Sequence, residues 1–478
     1  MTAAVSSWSS TCSTKPGLHS PYHQTLRIHA DEYKSHTLSK RQVESYISRL
    51  SRQRQRVLLL NAPREQYILN SNHNIPSLAH QEEILVKVLA IGLNPIDWKA
   101  PAFNFGIPSL PWINGRDLSG IVIQTPGNNS RLRVGDVVLV PSTDYRDIRK
   151  AAFQEYAVAT HANAAKIPTN TSIHSAASVG VAFVAAAFAL GISFGLDFSK
   201  TLSSVAKGPD LAKIISQVNS RNPQGIPADV RDECLPCTLE SSRINQGDWV
   251  AIWGASTTSG YIALQLAKLC GLRVICVVDV ARHGSKLLQA GADLLVDRFD
   301  TDRAIQIIRG VTKGNLRFGI DTVGRETATL LQEALSNNEN RLPSPPPSAS
   351  SAECPPSSFS VTSSSGSTHT QPQPLDNVQS RLLCLTGTPK ERLSGISYHT
   401  VPIKLFHSSA AVGESLMTWL EKLLQHDVLV LPEVIHAFGG LEGINAALQT
   451  LREGSEFVSG KRIVVDLLES ESRAGVQG

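Results

Sequence analysis

Charge is scarce in this sequence. Only 18% of its 478 residues are Asp, Glu, Lys or Arg, and the net charge of +4 is spread thinly. No basic stripe interleaved with aromatics occurs, which argues against a nucleic-acid partner. Cysteine is also sparse: seven residues, at 12, 234, 237, 270, 276, 354 and 384, odd in number and scattered. Such usage suits a reducing, cytoplasmic setting better than a disulfide scaffold. The N-terminus lacks the continuous apolar core of a secretory signal. Residues 1–56 are rich in Ser and Arg with few acids, weakly like a mitochondrial presequence. The expectation is a disordered extension over 1–56.

One run has no charge at all, SAASVGVAFVAAAFALGISFGL, from Ser175 to Leu196. Its length would suit a membrane span. Its Ala, Gly and Ser content and the absence of a basic flank favour a buried helix packed between two domains.

What is present is 41% apolar residues, enough for a real core, in a chain long enough for two or three domains. Up to about residue 170, short β-like segments (57–70, 82–91, 119–125, 136–140, 154–159, 165–168) alternate with Gly, Pro and Asn punctuation. This predicts a mostly β unit with little helix. Segment 198–245 has no clear period and reads as an irregular insertion. Strands then alternate with helices: strand 249–253, helix 260–270, strand 273–278, helix 284–290, strand 294–297, helix 302–310 and strand 316–321. Such alternation means βαβ units and a parallel sheet. Residues 341–374, dominated by Pro, Ser and Thr, read as a disordered loop inserted into that domain. A strand at 381–387 resumes the fold. It is followed by a helix (414–425), the apolar run 428–438, a helix (441–451) and a last strand (461–467).

Three stretches carry chemistry. WGASTTSG (253–260) lies between a strand and a helix, where a dinucleotide phosphate would sit. Gly254 and Gly260 are present, but Thr257 or Thr258 stands where a middle glycine is expected. The hydroxyls of Ser256, Thr257, Thr258 and Ser259, with the helix N–H groups, offer phosphate an alternative; a plain βα turn is the other reading. At the next strand end, Asp279 is placed to bond an adenosine ribose, which favours NADH. Arg282, His283 and Lys286 could grip a 2′-phosphate, which favours NADPH. The turns GLNPIDWK (92–99) and NGRDLSG (114–120) read, taken singly, as loop chemistry. Cys234-x-x-Cys237 lacks the third and fourth ligands of a tetrahedral metal site, so no metal is expected there.

The ordered series GLNPIDWK, GRDLSG, RVGDVVLV, FQEYAV, WGASTTSG, AGAD, GIDTVG and SGKRIVVDL resembles the medium-chain dehydrogenase/reductase superfamily. It is most similar to the zinc-independent quinone oxidoreductase and enoyl reductase branch, and within it to trans-acting enoyl reductases of fungal polyketide pathways. The likeness covers roughly 57–197, 246–335 and 380–468. It implies an α/β protein with a GroES-like β-barrel catalytic domain (57–187, completed by 401–468) and a Rossmann cofactor domain (188–400), ending in a tail at 469–478. Zinc-dependent relatives carry a Cys and a His-Glu pair at the two turns. Here Asn94-Pro95 and Arg116-Asp117 stand there, and no four-Cys lobe exists.

Carried over by position, Gly92, Leu93, Asn94 and Pro95 would touch the nicotinamide. Lys99 would face substrate as the catalytic cation. Ser256 to Ser259 would hold pyrophosphate, and Asp279, Val280, Ala281 and Arg282 the adenosine ribose or its phosphate. Leu385 and Thr386 would line the nicotinamide pocket, with Val458 and Ser459 closing it. Val184 takes the place of a substrate-side hydroxyl residue, and Arg298 that of an aromatic near adenine. The implied activity is NADPH- or NADH-dependent reduction of an activated C=C bond in a small-molecule or acyl-thioester substrate, by a monomer or homodimer that could serve a synthase. A quinone or α,β-unsaturated ketone reductase is the alternative within enzymes. Outside them, the alternative is a nucleotide-binding partner of a synthase without turnover.

Overall fold

The computed structural model describes residues 40–50, 53–126, 130–142, 144–238, 243–336, 379–454 and 456–467. The expected loop 341–374, the tail 469–478 and residues 1–39 of the expected extension lie outside them. Within that extension, residues 40–50 and 53–56 are described, and they form parts of a helix and a strand. Helix α1 (Lys40–Arg49) buries Tyr46 against Leu85, Leu89, Ile121 and Tyr156, and strand β1 (Arg54–Leu59) begins before residue 57.

The segment expected as one strand over 57–70 is a hairpin. β1 pairs antiparallel with β2 (Ile68–Asn74), because Pro63 and Arg64, the latter at φ +67°, turn the chain between them. β3 (Glu83–Gly92) is buried along its whole length. It leads into α2 (Pro95–Phe103), a helix that the β-rich pattern hides. Pro95 suits the first helical position, where its missing N–H costs nothing. β4 (Asp117–Gln124), β5 (Val137–Pro141), β6 (Tyr156–Thr160) and β7 (Ala165–Lys166) follow, all antiparallel to their neighbours.

The uncharged run is buried, as its composition predicts, but it is not one helix. α3 (Ile173–Ala177) and α4 (Gly180–Phe188) meet at a break around Ser178, and a π-turn closes the run at Ala189–Ser193. No described helix is long and apolar enough to cross a membrane. The 198–245 insertion is more ordered than its sequence suggests. α5 (Leu211–Arg221) and α6 (Arg231–Cys234) put Leu211, Ile215 and Cys234 into the largest core. Asp210 caps α5 by accepting the Lys213 N–H at 3.1 Å.

The second sheet is built from β8 (Trp249–Trp253), α7 (Thr258–Leu269), β9 (Arg273–Val278), α8 (Val280–Gln289), β10 (Leu294–Asp297), α9 (Thr301–Thr312), β11 (Phe318–Asp321), α10 (Arg325–Leu335), β12 (Ser380–Cys384) and β13 (Ile396–His399). Its order is β10-β9-β8-β11-β12-β13, parallel throughout. This is the doubly wound Rossmann arrangement, with its switch point between β8 and β11. α11 (Lys404–Ser408) and α12 (Ala410–Gln425) return the chain toward the first unit. There β14 (Glu433–Ala437), α13 (Ile444–Glu453) and β15 (Lys461–Asp466) complete a seven-stranded sheet; β15 pairs with β14 and with β3. One core fills the interior of this unit, and two others cover the two faces of the parallel sheet.

Packing at glycines is uneven, which gives a paired test. A Cβ at Gly92 would lie 1.9 Å from the Ala177 carbonyl oxygen, whereas Gly310 in α9 has open space around it. Gly92→Ala should cost about 2–3 kcal/mol or more by overpacking against backbone. Gly310→Ala should stabilise by about 0.5–1 kcal/mol through helix propensity. Denaturant midpoints measure both, and equal midpoints for the two variants would contradict the packing described.

Candidate active site

The turn after β3 and the turn before β4 meet in a buried knot. Asn94 donates from Nδ2 to Asp117 Oδ2 at 3.0 Å, and Arg462 of β15 donates from Nη2 to the same oxygen at 3.0 Å and to Asn94 Oδ1. Asp117 Oδ1 accepts the Val181 N–H of α4 at 2.7 Å. That approach requires Gly180, where a Cβ would lie 2.6 Å from the carboxylate. Burial raises the Asp117 carboxyl above its ordinary value, and the Arg462 charge opposes the rise.

A second polar group lies beside the knot. Asp97 Oδ2 accepts the Asn94 N–H at 2.7 Å, while its Oδ1 is buried without a hydrogen bond. Burial pushes this carboxyl up to about 7, against the hydrogen bond from Asn94 and the charges of Arg116 and Arg462. Tyr67 donates to the Asp97 carbonyl at 2.6 Å and accepts from Asn114 Nδ2 at 2.8 Å. Burial, and then the Asp97 charge, raise its phenol above the ordinary value. Arg116 is partly buried, with its guanidinium 5.8 Å from the Tyr145 ring centroid. Desolvation lowers it, and Asp97, Tyr67, Tyr145 and Asp144 pull it back. His407 of α11 faces the same group from the C-terminal side. Burial pushes it down to about 3, with Asp144 opposing and Lys150, Arg146 and Arg116 reinforcing.

The carboxyl ends of the parallel strands carry the other half of the site. Gly254 has φ +82°, and a Cβ there would lie 2.4 Å from Val323; one at Gly260 would lie 2.6 Å from the Gly254 carbonyl oxygen. Thr257 caps α7 by accepting the Gly260 N–H at 3.1 Å and bonds the Thr322 hydroxyl at 3.0 Å. Ser256, Thr257, Thr258 and Ser259 are all partly open at this helix N-terminus. A tight turn, a close-packed helix and free N–H groups beyond it form a cradle that fits a pyrophosphate. Across the switch point, Asp321 Oδ1 accepts from the Val323 and Gly324 N–H groups at 3.1 and 2.9 Å. Its Oδ2 is buried without a hydrogen bond, and burial raises the acid to about 6.

Asp279 caps α8, accepting the Arg282 N–H at 3.2 Å. The segment after α13 reaches over this helix. Arg282 pairs with Glu456 at 2.5 Å, His283 Nε2 contacts Ser459 Oγ at 2.9 Å, and Lys286 Nζ donates to the Gly460 carbonyl at 3.4 Å. Ser459 therefore lies against the helix that would face the adenosine, while Val458 is buried in the first unit's core. Leu385 is partly buried and Thr386 exposed just past β12.

Four of the expected residues stand differently from an open cleft lining: Val184, Gly92, Leu93 and Arg298. Val184 has no exposed surface and packs in the largest core, so it lines no open cleft. Gly92 and Leu93 are likewise buried, because β3 runs on beneath α3; of that turn only Pro95 is exposed. At the adenine position the open aromatic is Phe299, 70% exposed, with the Arg298 guanidinium 4.7 Å from its ring centroid. Lys99 is partly buried on α2, its ammonium 5.7 Å from the Trp98 ring, which Arg452 of α13 also approaches at 5.6 Å. Sequence reasoning missed Tyr67, Arg116 and Asp321 as parts of the site. Arg116 and Asp321 sat inside quoted motifs, and their burial was the signal that only folding supplies.

Residues 80–169 match the alcohol dehydrogenase GroES-like domain. Over 408 residues the chain is 26% identical to the trans-enoyl reductase BOA5 of Botryotinia fuckeliana, covering 84% of this chain and 96% of that protein. It is 27% identical over 277 residues to the trans-enoyl reductase fsa3 of a Fusarium species, covering 57% of this chain and 65% of that one. A mycobacterial protein solved in complex with NADPH shares the fold, with a TM-score of 0.56 at 16% identity over 86% of this chain and 99% of that one.

The raised Asp97 carboxyl has a measurable sign. Its folded value of about 7 lies above the ordinary 3.8, so the folded state holds the proton more tightly. The stability this contributes is full below about pH 4 and is lost as pH rises to about 7. Asp97→Asn should flatten that slope by on the order of 1–3 kcal/mol between pH 5 and 8. Thermal melts across this range test it, and parallel slopes in the two proteins would reject the assignment.

Proposed function

We propose that the chain is an oxidoreductase of the medium-chain dehydrogenase/reductase superfamily that reduces an activated carbon–carbon double bond, as an enoyl reductase. When bound, a reduced nicotinamide dinucleotide supplies the hydride for this reaction. The observation that carries the reading is the glycine-walled, hydroxyl-rich turn 254–260 at the switch point. The match to a trans-enoyl reductase over nearly that protein's whole length supports the substrate class.

Each part of the chain has a task in this scheme. Ser256 to Ser259 and the N–H groups of α7 bind the pyrophosphate through hydrogen bonds and the helix dipole. Asp279 bonds the ribose hydroxyls, with Val280 and Ala281 beside it, while Arg282 and Lys286 offer charge to a 2′-phosphate; either NADPH or NADH is accommodated. Arg298 and Phe299 offer flat faces to adenine. The turn at Asn94-Pro95, Leu385, Thr386 and the Val458–Ser459 segment border the nicotinamide end. Lys99 presents its ammonium on the substrate side of α2, and the proton for the α-carbon comes from water.

We infer zinc-independent chemistry from the donor set. Where zinc-dependent relatives place ligands, Asp117 is already ion-paired to Arg462 and hydrogen-bonded to Asn94. The substrate is a small molecule or an acyl thioester, which allows a synthase to be the donor of the acyl chain.

Pure protein mixed with NADPH or NADH and a panel of enoyl thioesters, enones and quinones tests the reading through loss of reduced-cofactor absorbance. Turnover is expected with enoyl thioesters; nucleotide binding without oxidation by any acceptor would reject it. Asp279→Ser keeps a capping side chain on α8. It should raise the NADPH-to-NADH ratio of kcat/KM by about tenfold, equivalent to about 1.4 kcal/mol. An unchanged ratio would remove Asp279 from cofactor selection.

A further inference from the structure

We propose that Arg116 binds the carbonyl oxygen of the substrate and stabilises the negative charge that this oxygen gains as the double bond is reduced. The inference rests on the enoyl reductase reading and goes beyond it, because the only catalytic cation assigned there is Lys99.

The argument begins with the backbone. Gly115 has φ +98°, and a Cβ there would lie 2.5 Å from the Phe153 ring, so the chain turns tightly just before Arg116. The Arg116 carbonyl is fixed by the Ser142 N–H at 2.6 Å. Asp117 points into the knot with Asn94, Arg462 and Val181. Asn114, two residues before Arg116, donates to the Tyr67 hydroxyl at 2.8 Å. The Arg116 guanidinium stands 5.8 Å from the Tyr145 ring centroid, within the electrostatic reach of Asp97, Tyr67, Tyr145 and Asp144. His407, on α11 beyond the last strand of the cofactor domain, also feels the Arg116 charge.

The guanidinium is not consumed by this surrounding. Asp97 exerts the largest charge effect on it, yet no carboxylate of the described residues comes within ion-pair distance, and Arg116 makes no side-chain hydrogen bond among them. A partly buried arginine normally has an anionic partner, since losing water around an unpaired charge is costly. Other cleft cations are placed differently. Arg462 is committed to Asp117 and Asn94. Lys99 shares the Trp98 face with Arg452 of α13, within the first unit. Among the described residues, Arg116 is therefore a cation whose N–H groups are free to meet an oxygen developing negative charge.

The chemistry closes without a new reagent. A bound reduced nicotinamide would supply the hydride that forms the C–H bond at the β-carbon as the C=C π bond breaks. The electron pair moves through the α-carbon onto the carbonyl oxygen, giving an enolate. Arg116 donates hydrogen bonds to that oxygen and keeps all its protons. The enolate pair then takes a proton from water at the α-carbon, and the carbonyl re-forms. A preformed cation aimed at the oxygen acts in the transition state more than in the ground state, which is where rate is gained.

The test uses Arg116→Ala and Arg116→Lys in the full chain, with crotonyl-N-acetylcysteamine as acceptor and fluorescence titration for nucleotide binding. Arg116→Ala should lower kcat about 10²-fold, with nucleotide Kd unchanged. Millimolar guanidinium chloride should restore part of the lost rate in Arg116→Ala and none in the wild type. Arg116→Lys should melt like the wild type and lose about tenfold in kcat, because a point charge replaces a planar fork. It decides the matter if the alanine variant does not fold. Wild-type kcat in a folded variant would overturn the proposal. So would a loss that guanidinium does not rescue and that weakens nucleotide binding in parallel. An active wild type with indifferent variants removes only this inference; a wild type that reduces no acceptor removes the enoyl reductase reading and this inference with it.

Discussion

The contact on which most of the structure depends is the Asp117 carboxylate. Four separated segments meet on it: the turn after β3 through Asn94, the start of β4, the head of α4 through Val181, and β15 through Arg462. An anion this deeply buried is tolerable only when each lone pair is used and a cation is close. The neighbours are adapted to that demand. Gly180 has no side chain because any Cβ would strike the carboxylate, and Gly92 has none because α3 lies directly on it. The two turns that border the cleft are held in register by the same pair of oxygens. The substrate-side geometry thus follows from satisfying one charge.

The two halves of the cleft have different electrostatic characters. On the first unit's side, burial dominates: it lifts the Asp97 carboxyl and depresses His407, so the neutral form of each is favoured. Arg116 keeps its charge because a guanidinium has no accessible neutral form. On the cofactor-domain side the surface is more open, and cations cluster on α8. They are already engaged by the Glu456–Gly460 segment through one exposed ion pair and two hydrogen bonds. Contacts of that exposed kind are individually weak and exchange easily with solvent or a ligand phosphate.

Legibility from sequence followed how local each feature is. β8, β9 and β10 fall where the apolar runs place them, because buried parallel strands are set by their own β-branched composition. α2 was hidden because Pro95 and Pro101 read as breakers, although Pro95 occupies the one helical turn that tolerates it. The uncharged run gave its burial but not its break at Ser178, which serves a distant partner: Val181 must present its N–H to Asp117. Among the candidate residues, the turn 253–260 was readable as a tight strand-to-helix turn because its glycines and hydroxyls announce themselves over eight positions. Val184 was not, since its burial is decided by α7 and α12 packing around it. Arg116 stood in a quoted motif, but its freedom from partners is a three-dimensional property.

The order in which the chain is made gives the knot another meaning. The six parallel strands lie between residues 249 and 399, so the cofactor domain's sheet has all its strands before the first unit does. That first unit begins the chain yet cannot pair β3 with β15, or give Asp117 its cation, until residues 461–466 have emerged. Until then β4 carries an uncompensated carboxylate at its head and β3 an open edge along its last residues. Contacts across nearly 350 residues close slowly. The early strands must therefore wait, exposed, for the final few residues of the fold.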